Sequence, residues 1–83
     1  MIEAKLLSLL DDVLNLQGRS AGFSTDTHLL GAVPEMDSMG VVAVITALEE
    51  RFGVMVDDDE IDGAVFATVG SLVAFVQGKL AEA

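Results

Sequence analysis

Ile2, Leu6, Leu9, Leu10, Val13 and Leu14 recur at spacings of three and four, the interval that lines up one face of an α-helix. Glu3, Lys5, Asp11 and Asp12 fall between them, available for the wet side, and Gly18 marks the stop. The same interval returns at Leu72, Val73, Phe75, Val76 and Leu80, which predicts a final helix over residues 69–80 with Thr68 as its cap. A third helix is predicted from Ser38 to Phe52. Pro34 precedes it, Gly53 follows it, and Glu49, Glu50 and Arg51 make a polar last turn. With Asp37 as N-cap, Met36 and Val41 stand where a hydrophobic staple would join them, while Gly40 at the third helical position excludes a capping box.

The apolar residues are chiefly Leu, Val and Ala, and the four aromatics are all Phe. That set suits close-packed short helices better than a twisted sheet with aromatic cross-strand pairs. Residues 17–37 carry loop signals, and a loop of that length in a compact domain is usually functional or held by its own side chains. Phe23, Leu29, Leu30 and Val33 are its candidate anchors, and Ser24 or Thr25 a candidate cap for a short turn. Residues 64–68, AVFAT, suffice for a short helix or one irregular turn. The expected fold is all-α: a four-helix bundle of three main helices plus one short helix, with a long first loop, as one domain over residues 1–83.

Fourteen acids against four Lys and Arg give a net charge of −10. Such a charge argues against nucleic acid and anionic membranes and favours basic protein partners. An apolar content of 52% argues against disorder. The apolar run from Met39 to Leu48 has about half the length a bilayer requires, so membrane insertion is not expected. The N-terminus, MIEAKLLSLLDDV, lacks the basic leader and cleavage site of a signal peptide. The absence of cysteine removes any thiol nucleophile or disulfide and suits a reducing cytoplasm. A monomer in the cytoplasm is the expectation.

Little catalytic chemistry is available. One histidine, His28, lies in the long loop, and no strand-turn-helix elbow surrounds Ser38. A chain this short buries only about 60% of its unfolded surface, which leaves little room for a substrate pocket with an oxyanion hole. His28 reads as a solvated or hydrogen-bonded loop residue. With Asp58 as first position, Glu60, Asp62 and Gly63 match the third, fifth and sixth places of a calcium loop. The twelfth place, which needs a bidentate Glu, is Val69, so a solvated acidic turn is the expectation.

Ser38 admits two readings. It is a small polar residue at a helix start, where serine is common, or it is a covalent anchor. A phosphodiester built on its hydroxyl would meet unpaired backbone N–H groups and the positive end of the helix dipole. Asp37 would repel that phosphate, so its use lies in capping or in holding a metal ion during attachment.

The segment MDSMGVVAVITALEERFGVMVDDDEI, followed by TVGSLVAFV, resembles the acyl carrier proteins. Their attachment motif is Asp-Ser-Leu or Asp-Ser-Met at the start of the second helix, followed by a Leu-Glu-Glu…Phe-Gly helix end, an acidic turn and a Thr-Val-headed last helix. The correspondence extends over nearly the whole chain. It implies the carrier-type bundle and a 4′-phosphopantetheine group esterified to Ser38 by a separate phosphopantetheinyl transferase, with Asp37 as the motif's acid and helix cap. It implies a carrier, not an enzyme: acyl or aminoacyl groups travel as thioesters from an acyl-loading ligase to an accepting transferase or synthase.

The resemblance also implies that the second helix meets partner enzymes, through Met39, Gly40, Ala43, Glu35, Glu49 and Glu50. Here the chain departs from fatty-acid carriers, which place carboxylates where Gly40 and Ala43 stand. Residues 39–48 hold one polar side chain, Thr46, while residues 35–62 hold nine acids and one base, Arg51. The centre of the docking face is therefore expected to be apolar and small. Gly40 either relieves crowding at the helix start or admits a partner or the prosthetic arm. Met39 belongs to a partner contact or to the rim of the core. The pattern most resembles stand-alone carriers of bacterial exosortase and exopolysaccharide systems, with polyketide and non-ribosomal peptidyl carriers as neighbours. An unmodified acidic interaction module is the alternative.

Overall fold

The computed structural model describes residues 2–82, apart from the side chains of Asp58 and Glu82. Three helices appear in order, α1 (Ile2–Leu14), α2 (Ser38–Phe52) and α3 (Val69–Glu82), with 3-10 turns at Arg19–Gly22 and Asp58–Glu60. Among the described residues there is no strand, and His28 and Thr68 form an isolated antiparallel bridge. The all-α expectation holds.

The core is built at the spacing that the sequence displays. Leu6, Leu9, Leu10 and Leu14 from α1 meet Val44 and Leu48 from α2 and Val69, Leu72 and Val76 from α3. Complete burial of such side chains stabilises by about 1.5–3 kcal/mol each, before the entropy of ordering is set against it. α1 and α2 run antiparallel. Leu14, at the end of α1, packs at Gly40 near the start of α2, while Ala4, Lys5 and Ser8 share a cleft with Arg51 and Phe52.

α1 ends earlier than Gly18. Asn15 takes a left-handed backbone (φ 55), and the Leu16 N–H closes back onto the Asp11 carbonyl at 3.0 Å, the six-to-one bond of a Schellman turn. That turn drives Leu16 into the core, where it is fully buried. Asp11 was expected on the wet side of α1, and it is half-buried instead. Its carboxylate accepts hydrogen bonds from the Ser20 hydroxyl at 2.6 Å, the Ser20 N–H at 3.2 Å and the Gly18 N–H at 3.1 Å. These bonds hold its carboxyl below the usual value, the Ser20 hydroxyl contributing most.

The long loop is pinned to the head of α3. Leu29 and Leu30 donate N–H bonds to the carbonyls of Ala67 (2.8 Å) and Phe66 (3.1 Å). In return, the Val69 and Gly70 N–H groups find the carbonyls of Thr27 (3.0 Å) and Thr25 (2.8 Å). The first N–H groups of a helix have no partner within it, so the loop closes α3 from outside. Thr68 and Ser71 complete the cap reciprocally: each backbone N–H bonds the other's hydroxyl, at 3.1 and 3.0 Å. Phe23, Leu29 and Val33 anchor the loop as expected, but Leu30 turns outward and is 41% exposed.

Of the two possibilities for residues 64–68, a short helix or an irregular turn, the structure has turns, and the short helical elements are the 3-10 turns Arg19–Gly22 and Asp58–Glu60. The reason is local. The carbonyls of Phe66 and Ala67 are taken by the long loop, and Asp62 caps Ala64 with its side chain at 2.6 Å. No i to i+4 ladder forms there, yet Phe66 is buried in the core.

Candidate functional site

Ser38 is the first residue of α2 and is exposed. Asp37 before it has extended backbone, and its Oδ1 accepts the Gly40 N–H at 2.9 Å. Its carbonyl accepts the Val41 N–H, also at 2.9 Å, which opens the helical ladder. The carboxylate therefore does the work of an N-cap. No hydrogen bond among the described residues engages the Ser38 hydroxyl. The first turn of α2 itself holds no acid, so the positive end of the helix dipole is opposed only by the cap. An exposed hydroxyl in that position fits a phosphodiester: backbone N–H groups and the dipole favour an anion there.

The approach to the serine is tightly folded. Met36, 2% exposed, inserts into the core, and its N–H bonds the Val33 carbonyl at 2.9 Å. Val41 packs against the same core from the first turn of α2, the arrangement that a staple requires. Gly40 is buried beneath the loop: a Cβ there would collide with the Glu35 carbonyl oxygen and stand 3.2 Å from Leu14 Cδ2. This corrects the assignment of Gly40 to the partner face. The glycine lets the protein's own loop approach, and no surface is left there for a partner.

Glu35 is half-buried and ion-paired with Arg19. Its own amide N–H, and then the Arg19 guanidinium, hold its carboxyl below the usual value. Glu49 is also engaged, since its Oε2 accepts the Val56 N–H at 3.0 Å and ties down the chain after α2. Both carboxylates thus serve the fold first. Glu50 is exposed.

Beyond Ser38 the outer face of α2 is apolar. Met39 is 75% exposed and Val42 58%, and Ala43 and Thr46 are exposed beside them. Positions 39, 42, 43, 46 and 50 share one side of a helix, so Glu50 ends the stripe that Met39 begins. Thr46 directs its hydroxyl to the Val42 carbonyl at 3.1 Å, a back-bond that spends its polarity within the helix. Met55, just past the helix, is 79% exposed. Sequence reasoning placed Met39 and Ala43 on this face and missed Val42, although the three-four spacing from Met39 carries it. Nothing in the local sequence marks Arg19, because its partner lies sixteen residues away.

The remaining candidates do not join this site. His28 pairs with Thr68 at the head of α3. In the acidic turn the calcium-loop register begins at the Asp58 side chain, outside the described residues. Glu60 there bonds Lys79 at 2.5 Å and the Asp57 N–H at 3.0 Å, and the Lys79 bond contributes most to holding its carboxyl below the usual value. Among the described residues no helix is long and apolar enough to cross a membrane.

The phosphopantetheine attachment site family matches residues 4–76. No curated protein matches the chain. Among solved structures, a holo acyl carrier protein from Nitrosomonas europaea, determined in solution by NMR, is 53% identical. It superposes with a TM-score of 0.87 over 95% of this chain and 94% of its own. An exposed serine heading a capped helix in this fold thus has a counterpart family, and the chain belongs to it: it is an acyl carrier protein, a carrier with a 4′-phosphopantetheine prosthetic group and not an enzyme.

Proposed function

We propose that Ser38 bears the 4′-phosphopantetheine and that acyl groups are handed to and from partner enzymes across the exposed face of α2. The observation that carries this reading is the free Ser38 hydroxyl on the first position of α2, directly beside the Met39–Val42–Ala43 stripe. When bound, the prosthetic group supplies the terminal thiol that the cysteine-free chain lacks. The protein's part is to cap and orient the helix through Asp37, to leave the hydroxyl accessible, and to offer a docking surface.

That surface calls for partners of a particular chemistry. Its centre is aliphatic and thioether, and the exposed acids Glu50, Asp57, Asp59 and Asp62 lie along the chain that follows. A complementary surface has an apolar centre and a basic rim, so charge steers the encounter and apolar burial holds it. The partners are a phosphopantetheinyl transferase, an acyl-loading ligase and an accepting transferase or synthase, met in the cytoplasm by a monomeric carrier. The apolar face supports a dedicated pathway over general fatty-acid synthesis, and the resemblance to exosortase- and exopolysaccharide-linked carriers names the candidate.

Incubation of the apo-protein with coenzyme A and a broad-specificity phosphopantetheinyl transferase tests the attachment. The intact mass is expected to rise by one phosphopantetheine, and Ser38→Ala to abolish the gain. A folded wild type that gains nothing favours the unmodified interaction module instead.

A further inference from the structure

We propose that Arg19 and Glu35 form a positioning pair for the attachment serine: their ion pair ties residues 34–37 to the 3-10 turn that follows α1 and sets the pose in which Ser38 meets the modifying transferase. This rests on reading Ser38 as the attachment point.

Only Met36 and Asp37 lie between Glu35 and Ser38, and neither gives slack. Met36 is buried in the core and Asp37 is committed to the Gly40 N–H. Glu35 itself is held at two places, by its carboxylate on Arg19 and by its carbonyl against Gly40. A displacement of Glu35 therefore passes directly to the cap and to the serine.

Arg19 is held from the other side. Its Nε donates to the Leu16 carbonyl at 3.0 Å, its backbone N–H reaches the same oxygen at 3.2 Å, and Leu16 is fully buried. Asp11 fastens the rest of that turn through Gly18 and Ser20. An ordinary surface pair is weak because two mobile side chains must be ordered to make it. Here the guanidinium is already placed by its bond to Leu16. Arg19 is the one side chain bonded to the Glu35 carboxylate among the described residues, so replacing it removes a charge-assisted hydrogen bond. Since the side chains are 51% and 34% exposed, the effect belongs to geometry and not to global stability.

In the modification the Ser38 oxygen forms a bond to the phosphorus that carries the pantetheine. The pyrophosphate P–O bond of coenzyme A breaks, the nucleotide bisphosphate leaves, and the hydroxyl proton passes to a base or water of the transferase. Small misplacement of a reacting atom lowers such a rate without unfolding anything.

The test is a double-mutant cycle on the full apo-protein, with kcat and KM measured for one transferase using coenzyme A. Arg19→Gln and Glu35→Gln are each expected to lower kcat/KM about tenfold, chiefly through kcat, and the double variant to fall no further. Arg19→Lys, which keeps the charge and loses the Nε bond, should fall between. Melting temperatures within a few degrees of wild type establish that all remain folded. A direct contact of Glu35 with the transferase gives another result: Arg19→Gln leaves the rate unchanged or raises it, and the pairing is overturned. Multiplying losses, or a change confined to KM, overturn it too. Wild type that gains no mass overturns the Ser38 reading itself, and so the two failures are distinct.

Discussion

The carbonyl oxygen of Glu35 occupies the space in which a side chain on residue 40 would begin, so the loop before Ser38 and the first turn of α2 are one packed unit. In an open helix, Gly→Ala stabilises by about 1 kcal/mol. At Gly40 the added methyl meets backbone, which cannot rotate away, and the loop must lift. Gly40→Ala is expected to destabilise by about 1–3 kcal/mol and to slow modification of Ser38. Urea unfolding measures the first, and a variant more stable than wild type contradicts the packing.

The helices, their order and the limits of α2 were legible because each depends on spacing and caps within a dozen residues. Asp37 as cap belongs to that category. What was not legible depends on closure between distant segments. The choice between two roles for Gly40 is settled by where Glu35 folds back. That Leu29 is buried and Leu30 exposed follows from the register of their N–H groups on Ala67 and Phe66, which no local pattern encodes. Asp11 was expected on the wet side and nothing local marked Arg19, because their partners Ser20 and Glu35 become neighbours only when the loop is folded.

Asp37 caps α2 through a side-chain oxygen that asparagine also possesses. Asp37→Ala is expected to cost about 1 kcal/mol of stability and Asp37→Asn only a few tenths, read from thermal or urea unfolding. Equal losses for the two would show that the carboxylate's charge, not its hydrogen bond to Gly40, secures the helix start.

Asp11 makes the fold sensitive to acid. Its folded pKa is depressed below the ordinary value of 3.8 by the hydrogen bonds from Ser20 and Gly18. A carboxyl with a depressed folded pKa gives its full contribution above the unfolded pKa and loses it as pH falls through the folded value. Asp11→Asn should therefore be less stable than wild type at pH 6, with the gap narrowing below pH ~3.8 as Asp11 takes up its proton. Denaturant titrations at several pH values compare the pair. A gap that stays constant would mean that the ionised carboxylate adds nothing beyond an amide.

Met39 and Val42 leave most of their surface in water, so their replacement says little about the core and much about docking. Met39→Glu and Val42→Glu are expected to change stability by no more than about 0.5 kcal/mol. Each introduces a charge that must be desolvated against an apolar partner surface, so acyl transfer to the cognate partner should fall. Glu50→Gln, at the end of the same stripe, should act differently. It removes a rim charge, which lowers the association rate at low ionic strength and converges with wild type as salt is raised. Stopped-flow binding at two salt concentrations separates these effects. If the two apolar variants lose affinity only at low salt, the centre of the face works by charge, and apolar burial is not what holds the partner.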